Sequence, residues 1–242
     1  MRKSTIAACN ASEMSIFDSA FSRAGWSGAG PYHHDVPPRF AARFRVRGVF
    51  AVVFLVVVGA LASGCAGATF DPSGPCNSDG QAAGAYPDLE AVVPRAFQGN
   101  APDRLDSGRN CTTAALATLA LHDVSELRFA GAIWDLGSSS GVTLAVFEAP
   151  GLEASWMAEF FEAGARAARR VESVNAGPME LSDGTVAIRI DALNGESYQT
   201  VVVWPDDGHV RVALVASFIR EIETRDAHDV LVGEAIAASL GS

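Results

Sequence analysis

Residues 185–217, "TVAIRIDALNGESYQTVVVWPDDGHVRVALVAS", decide the fold class of this chain. Apolar Val186, Ile188 and Ile190 alternate with polar side chains, which is the period of a half-buried β-strand. Asn194-Gly195 and Asp207-Gly208 are dipeptides that favour the tight turns of β-hairpins. The stretch therefore predicts three antiparallel strands, over 185–191, 197–204 and 209–217, joined by two hairpin turns.

The segments upstream and downstream add one more hairpin and four helices. "ELRFAGAIW" (126–134) and "GVTLAVFEA" (141–149) are rich in strand-forming residues and flank the turn-like "DLGSSSG". Apolar residues recur at helical spacing over 87–97, 112–121, 152–171 and 226–239. The predicted fold class is therefore α+β, a mostly antiparallel sheet of about five strands with helices packed on it. The predicted order is α-α-β-β-α-β-β-β-α.

The charge of the chain is unevenly distributed. Of 18 basic residues, 7 precede Cys65, whereas 25 of the 28 acidic residues follow it, and no lysine follows it. Binding to a nucleic-acid backbone requires a basic stripe on the protein. The composition therefore excludes nucleic acid as an expected partner.

An unbroken run of 14 apolar or glycine residues occupies 49–62 and follows Arg39, Arg43, Arg45 and Arg47. A membrane-spanning helix needs roughly 17–25 residues, so this run is short for a permanent span. A positively charged segment, a short apolar core and small residues after it are typical of a signal peptide.

The end of the run, Ala62-Ser63-Gly64-Cys65, resembles the lipobox of bacterial lipoproteins. The usual form of that motif is Leu-(Ala/Ser)-(Gly/Ala)-Cys, and here Ala62 takes the place of the leucine while Leu61 lies one position earlier. The resemblance implies transfer of a diacylglyceryl group to the Cys65 thiol, cleavage before it, and retention at the outward face of the cell membrane. The alternative is a signal anchor or an ordinary secretory signal with an incidental cysteine.

These features divide the chain into four parts. Residues 1–35 are a leader, and translation starting later, at Met14 or Val36, is an alternative for it. Residues 36–64 are the signal peptide, 65–86 are the lipidated cysteine with a flexible tether rich in Gly, Pro and Ser, and 87–242 are a single domain.

Cys76 and Cys111 are the thiols that remain after acylation of Cys65 and removal of Cys9. In an oxidising compartment such a pair predicts a disulfide. The alternative is a thiol nucleophile with His122 or His209 as its base.

The candidate binding face is the polar side of the predicted C-terminal strands. Its side chains are Thr185, Arg189, Asp191, His209 and Arg211. They would form a recognition surface if no helix covers them, and the alternative is an ordinary solvated face.

Two further motifs suggest chemistry. Gly137–Gly141 matches the G-x-S-x-G of hydrolase nucleophile elbows, with Ser139 as nucleophile and Asp191 and His209 or His228 following in hydrolase order. However, an elbow leads into a helix, whereas the residues after Gly141 predict a strand. "WPDDGH" (204–209) collects two aspartates and a histidine, but one turn cannot supply four metal ligands. We therefore expect no metal, no cofactor and no catalytic residue.

The sequence as a whole predicts a membrane-anchored extracytoplasmic lipoprotein. Its domain is expected to be non-catalytic and to bind a small ligand or an envelope protein. An exported hydrolase that uses Ser139 is the alternative.

Overall fold

The computed structural model describes residues 70–137, 140–168, 170–219 and 224–241. The described strands form one antiparallel sheet, whose order in space is β1-β2-β3-β4-β8-β7-β6-β5. In chain order the strands are β1 (Gly80–Ala82), β2 (Arg104–Asn110), β3 (Leu127–Gly137), β4 (Ser140–Glu148), β5 (Val171–Glu180), β6 (Val186–Asn194), β7 (Ser197–Asp206) and β8 (His209–Phe218).

The two hairpins predicted within 185–217 are confirmed. Asn194 pairs with Ser197 across the first turn, and Asp206 pairs with His209 across the second. Gly195 and Gly208 in these turns have φ angles of 57° and 84°. Glycine adopts such angles at low cost, which explains the turn dipeptides in the sequence.

The sheet is assembled from two consecutive halves of the chain that meet in its centre. Strands β1 to β4 form one half and β5 to β8 the other. The junction is the pairing of β4 with β8, which runs from Gly141 opposite Ala216 to Phe147 opposite Val210. The last of the described strands, β8, therefore lies in the middle of the sheet.

Helices cover both faces of the sheet. They are α1 (Pro87–Ala91), α2 (Thr113–Leu116), a 3₁₀ segment (Ala117–His122), α3 (Ala154–Ala167) and α4 (Arg225–Leu240). Helices α1 and α4 pack on one face, which we name the α4 face, with Trp134, Leu144 and Trp204. Helices α2 and α3 and the 3₁₀ segment pack on the other, the α3 face, with Phe129, Phe147 and Val212.

The central strands are buried on both sides because of this arrangement. In β7, consecutive residues Val201, Val202, Val203 and Trp204 are all buried. Successive side chains of a strand point to opposite faces, so a strand covered on both faces has a continuous apolar run instead of an alternating one. The "VVVW" of the sequence reflects this double burial.

The predicted fold class is wrong. The described chain forms a sheet-dominated fold of eight strands with four α-helices, not a five-stranded α+β fold. Strands β1, β2 and β5 were not predicted. The observed order of described elements begins with β1, before the first helix, and the predicted helices 87–97 and 112–121 are shorter than expected.

The missed strands lack the usual signals of strands. Strand β2, "RLDSGRN", contains a single large apolar residue, Leu105. Strand β5, "VESVNAGPME", contains Gly177-Pro178, which predicts a turn. Because β5 is the last strand at its edge of the sheet, Pro178 can remain within it without breaking a ladder on both sides.

No helix in the described ranges is long and apolar enough to span a membrane. The apolar run at 49–62 and the lipobox-like residues 62–65 lie outside the residues that the structure describes.

Candidate functional site

Helix α4 lies across the polar side of β6, β7 and β8. Its first turn is capped by Thr224, whose hydroxyl accepts a hydrogen bond from the Ala227 N–H at 3.2 Å. Val232, Ala235 and Ile236 are buried against the sheet and supply the apolar contact. The buried side of the helix is not entirely apolar, because His228 is also fully buried there.

His228 is hydrogen-bonded through both ring nitrogens. Its Nε2 lies 2.8 Å from Thr200 Oγ1, and its Nδ1 lies 2.9 Å from Ser217 Oγ. The Thr200 hydroxyl donates its only proton to Asp191 Oδ1 at 2.5 Å. Thr200 must therefore accept the Nε2–H of His228, and Nδ1 accepts the Ser217 proton. We name these four residues the His228 network.

The surroundings keep His228 neutral and Asp191 ionised. Burial lowers the pKa of His228 from 6.5 to about 4, and the positive charge of Arg225 acts in the same direction. Burial alone would raise the pKa of Asp191, but hydrogen bonds from Arg189 and Thr200 outweigh it and lower that pKa below 3.8. The network therefore joins a neutral imidazole to a carboxylate through one hydroxyl.

A cluster of four charged side chains lies where the network reaches the surface. Asp191 accepts hydrogen bonds from Arg189 Nε at 2.9 Å and pairs with Arg225 at 2.6 Å. Asp229 pairs with Arg225 at 3.2 Å and with Arg189. The Arg225 guanidinium also lies 5.2 Å from the centre of the Tyr198 ring. We name Arg189, Asp191, Arg225 and Asp229 the charge cluster.

The Ser217–His228 contact has the geometry of a nucleophile with its base, since Nδ1 accepts the serine proton. A nucleophile must, however, be reachable by a substrate. Ser217 and His228 have no exposed surface. The arrangement instead satisfies buried polar groups between α4 and the sheet, and so positions the helix.

The predicted binding face does not form an open surface. Helix α4 covers Arg189 and Asp191 through the ion pairs described above. Arg211 is buried and donates hydrogen bonds to Asp206 Oδ2 at 2.5 Å and to the carbonyl of Ser239 at 3.0 Å.

The other two members of that face lie elsewhere. His209 begins β8, opposite Asp206, at the far end from the His228 network. Thr185 lies before β6 in a turn, where its hydroxyl donates to Asp183.

The structure places the two histidines considered for the hydrolase alternative differently. Ser139 itself lies outside the described residues. The loop is flanked by Ser140, whose Oγ accepts the Phe218 N–H at 3.2 Å. His209 is nine positions from Phe218 along β8, or about 30 Å away, and His228 is already bonded to Thr200 and Ser217.

In the part of the chain that the structure describes, no group of three or more His, Cys, Asp or Glu side chains could hold a metal ion. Asp206 of the "WPDDGH" turn instead accepts the hydrogen bond from Arg211. Among the described residues, this turn therefore has a structural role, since it holds the Arg211 side chain.

The predicted disulfide between Cys76 and Cys111 is confirmed. The two Cα atoms are 5.4 Å apart, within the usual range for a disulfide. The bond links the segment before β1 to the end of β2. Asp79 strengthens the same junction, because its carboxylate accepts hydrogen bonds from the N–H groups of Cys111 (2.6 Å) and Thr112 (2.9 Å).

A second set of contacts centres on Arg109 of β2, which is buried. Its guanidinium lies 5.7 Å from the centre of the Phe70 ring and 3.7 Å from Glu126. It also donates hydrogen bonds, between 2.8 and 3.4 Å long, to the carbonyl oxygens of Asp71, Pro72, Gly74 and Pro75. One arginine side chain thus holds residues 71–75, which lie outside any helix or strand, against β2.

Two glycines allow the segment to approach β2 closely. A Cβ on Gly80 would lie 2.3 Å from the Phe70 ring, and one on Gly108 would lie 2.3 Å from the Gly80 carbonyl. We name residues 70–82 the N-terminal clasp. The clasp lies within the part of the chain that the sequence predicts to be a flexible tether, and the structure packs it against the domain.

Sequence reasoning missed both Arg109 and the His228 network as organised sites. Arg109 lies in β2, whose sequence lacks the apolar pattern typical of a strand. Its partners are backbone carbonyl groups, which every residue has, so the sequence does not identify them. His228 was considered only as a hydrolase base, because Thr200 and Ser217 are 28 and 11 positions away in the chain. The signal available in the sequence was a histidine, His228, among the apolar positions of the predicted C-terminal helix.

No protein-family model and no curated protein matches the chain.

Proposed function

We propose that this chain is a membrane-anchored extracytoplasmic lipoprotein whose folded domain binds a partner and does not catalyse a reaction. The anchor would be the lipid on Cys65, at the outward face of the cell membrane. The partner would be an envelope protein or a small ligand.

The Cys76–Cys111 disulfide is the observation that carries this proposal. Stable structural disulfides form in oxidising compartments and are rare in a reducing cytosol. The bond therefore supports export, and the arginine-flanked apolar run ending in Gly64-Cys65 supplies the means of export and of anchorage.

The non-catalytic part of the proposal is supported by how the reactive groups are used. His228 and Ser217 are buried and bonded to each other, and the described cysteines are joined. The charge cluster on the α4 face is partly accessible, since its side chains are between 23% and 39% exposed. Such groups suit recognition of a partner by charge and hydrogen bonding.

The anchor is tested by Cys65→Ser, with Cys9→Ser as the matched control in the leader. We expect the full chain from a bacterial host to carry acyl groups by mass spectrometry and to fractionate with membranes. Cys65→Ser should abolish acylation, whereas Cys9→Ser should change nothing. Wild-type protein without an acyl mass, or acylation that persists in Cys65→Ser, would refute the lipoprotein assignment.

Partner binding is tested with photo-reactive residues at two exposed valines. Val230 on α4, 63% exposed, adjoins the charge cluster, and Val186 at the start of β6, 66% exposed, is the control. In intact cells a discrete cross-link should form from position 230 and be lost on Arg225→Glu. Equal cross-linking from both positions would argue against a site at the charge cluster.

A further inference from the structure

The length of chain between the lipid site and the folded domain is short. Five positions separate Cys65 from Phe70, the first residue of the N-terminal clasp. Five residues span at most about 18 Å even when fully extended. A lipid on Cys65 would therefore hold Phe70 within about that distance of the membrane surface.

The clasp cannot lengthen this connection while its contacts remain. Phe70 packs on Gly80 and under Arg109, and the next residues are bonded through their carbonyl oxygens to the same guanidinium. The disulfide at Cys76 then fixes the segment covalently to β2. The point of attachment is thus a rigid part of the domain.

Most of the exposed side chains of the clasp are small and uncharged, such as Ser73, Asn77 and Ala82. The clasp carries two acidic residues, Asp71 and Asp79, and no basic one. The carboxylate of Asp79 accepts hydrogen bonds from Cys111 and Thr112, whereas that of Asp71, which is exposed, accepts them from Ser73. Charge therefore does not set the clasp apart from the rest of the domain, and the short connection to Cys65 is what places the clasp at the membrane.

The order of strands sets the direction in which the domain extends from the anchor. Strand β1 of the clasp is at one edge of the sheet and β5 is at the other, seven strand spacings away. At about 4.8 Å per spacing, the two edges are about 34 Å apart. Because the lipid would hold the β1 edge at the membrane through a connection of at most about 18 Å, the β5 edge would lie at the end of the sheet that is farther from the lipid.

We infer that the N-terminal clasp is the membrane-facing surface of the domain, so that the domain stands with its β1 edge on the lipid and its β5 edge outward. This inference rests on the proposed lipidation of Cys65. It assigns the clasp a contact with lipid headgroups and leaves the β5 edge and the charge cluster accessible to partners.

The test compares two fluorescent amino acids in the full lipidated chain, one at Ala83 beside the clasp and one at Asn175 on β5. Both positions are exposed. The protein is reconstituted into phosphatidylcholine–phosphatidylglycerol vesicles that carry an energy acceptor on the headgroups. We expect severalfold more energy transfer from position 83 than from position 175.

A matched variant tests whether this difference in energy transfer depends on the clasp. In Cys76→Ser/Cys111→Ser the rigid attachment is lost and the tether lengthens, so transfer from position 83 should fall towards that from position 175. Equal transfer from both positions in the wild type, or more from 175, would overturn the inference.

Flotation of the vesicles distinguishes a failure of this inference from a failure of the proposed lipidation of Cys65. Protein that floats with the vesicles but shows equal transfer would overturn the orientation alone. Protein that neither floats nor carries acyl groups would overturn the proposed lipoprotein function, and the orientation with it.

Discussion

The two ends of the described domain are both held on the sheet by polar contacts, but by different means. At the N-terminal clasp, a buried arginine of β2 binds a series of carbonyl oxygens, and a disulfide adds a covalent bond. At helix α4, a neutral histidine and two ion-paired arginines make the corresponding contacts with β6, β7 and β8.

This difference determines whether reduction or acid should detach each end of the domain from the sheet. An arginine remains charged at any ordinary pH, and despite burial the hydrogen bonds from Thr112 and Cys111 lower the pKa of Asp79. Above about pH 4 the clasp should therefore respond to reduction of its disulfide and hardly to acid. A buried neutral histidine must acquire charge as the pH falls, so α4 should respond to acid and not to reductant. The following predictions separate the two ends, beginning with the largest effect.

Replacing both disulfide cysteines, Cys76→Ser/Cys111→Ser, should have the largest effect. The bond closes a loop over a sequence separation of 35 residues, and such a closure stabilises a fold by about 3–4 kcal/mol. The melting temperature should fall, and hydrogen exchange should accelerate first in residues 70–82. Reductant added to the wild type should give the same result, and two titratable thiols in the unreduced wild-type protein would contradict the prediction.

Acid should weaken the attachment of α4 by about 3 kcal/mol. His228 in the folded protein stays neutral down to about pH 4, whereas an unfolded histidine binds its proton near 6.5. Between these values the unfolded state binds more protons, so the free energy of unfolding decreases as the pH falls from 6.5 through about 4. Denaturant titrations across this range measure the loss.

His228→Gln should reduce this acid dependence, since its amide can still donate to Thr200 but does not titrate. His122→Gln is the matched control, because His122 is partly exposed, hydrogen-bonded to Glu159 and stacked on the Trp156 ring, outside the contacts of α4. Acid dependence that is unchanged in His228→Gln would show that other groups cause it.

Thr200→Val should cost about 2 kcal/mol, because it leaves the Nε2–H of His228 without an acceptor and removes a hydrogen bond to Asp191. Thr118→Val provides the contrast, since the Thr118 hydroxyl is buried without a hydrogen-bond partner among the described residues. That substitution should be neutral or slightly stabilising in the same thermal melt. Equal losses in both variants would argue that the Thr200 bonds contribute nothing beyond packing.

Arg225→Gln should have the smallest effect, below about 1 kcal/mol, because its ion pairs with Asp191 and Asp229 are partly exposed and screened by water. The difference from the wild type should shrink further at high salt. A loss comparable to that of Thr200→Val would show that the charge cluster, and not the His228 network, holds α4.

Much of the sheet could be predicted from local patterns, and the errors have local causes. Residues 185–217 combine alternation with two turn dipeptides, so three strands were found. Strands β2 and β5 lack such patterns, because β2 is mostly polar and β5 contains Gly177-Pro178. These two strands form because they pair with neighbouring strands, and the local sequence pattern does not show such pairing.

The candidate site was less predictable than the fold. The disulfide followed from counting cysteines, which requires no geometry. Arg189, Asp191 and Arg211 of the predicted polar face are bonded to α4, and the sequence does not show where a helix will pack. The bonds of Arg109 and His228 connect residues that are far apart in the chain, and no spacing rule predicts such partners.

The place of β8 in the sheet has a consequence for synthesis of the protein. The chain is made from its N-terminus, and β8 is the last of the described strands to be made, yet it pairs with β4 across about 70 positions of sequence. Until β8 arrives, β4 and β7 each have an open edge, and most of their side chains are apolar. Open apolar edges of this kind pair readily with other chains. A stalled or cleaved chain that lacks residues 209–242 should therefore aggregate, and the unfinished sheet would need protection by a chaperone until β8 has been made.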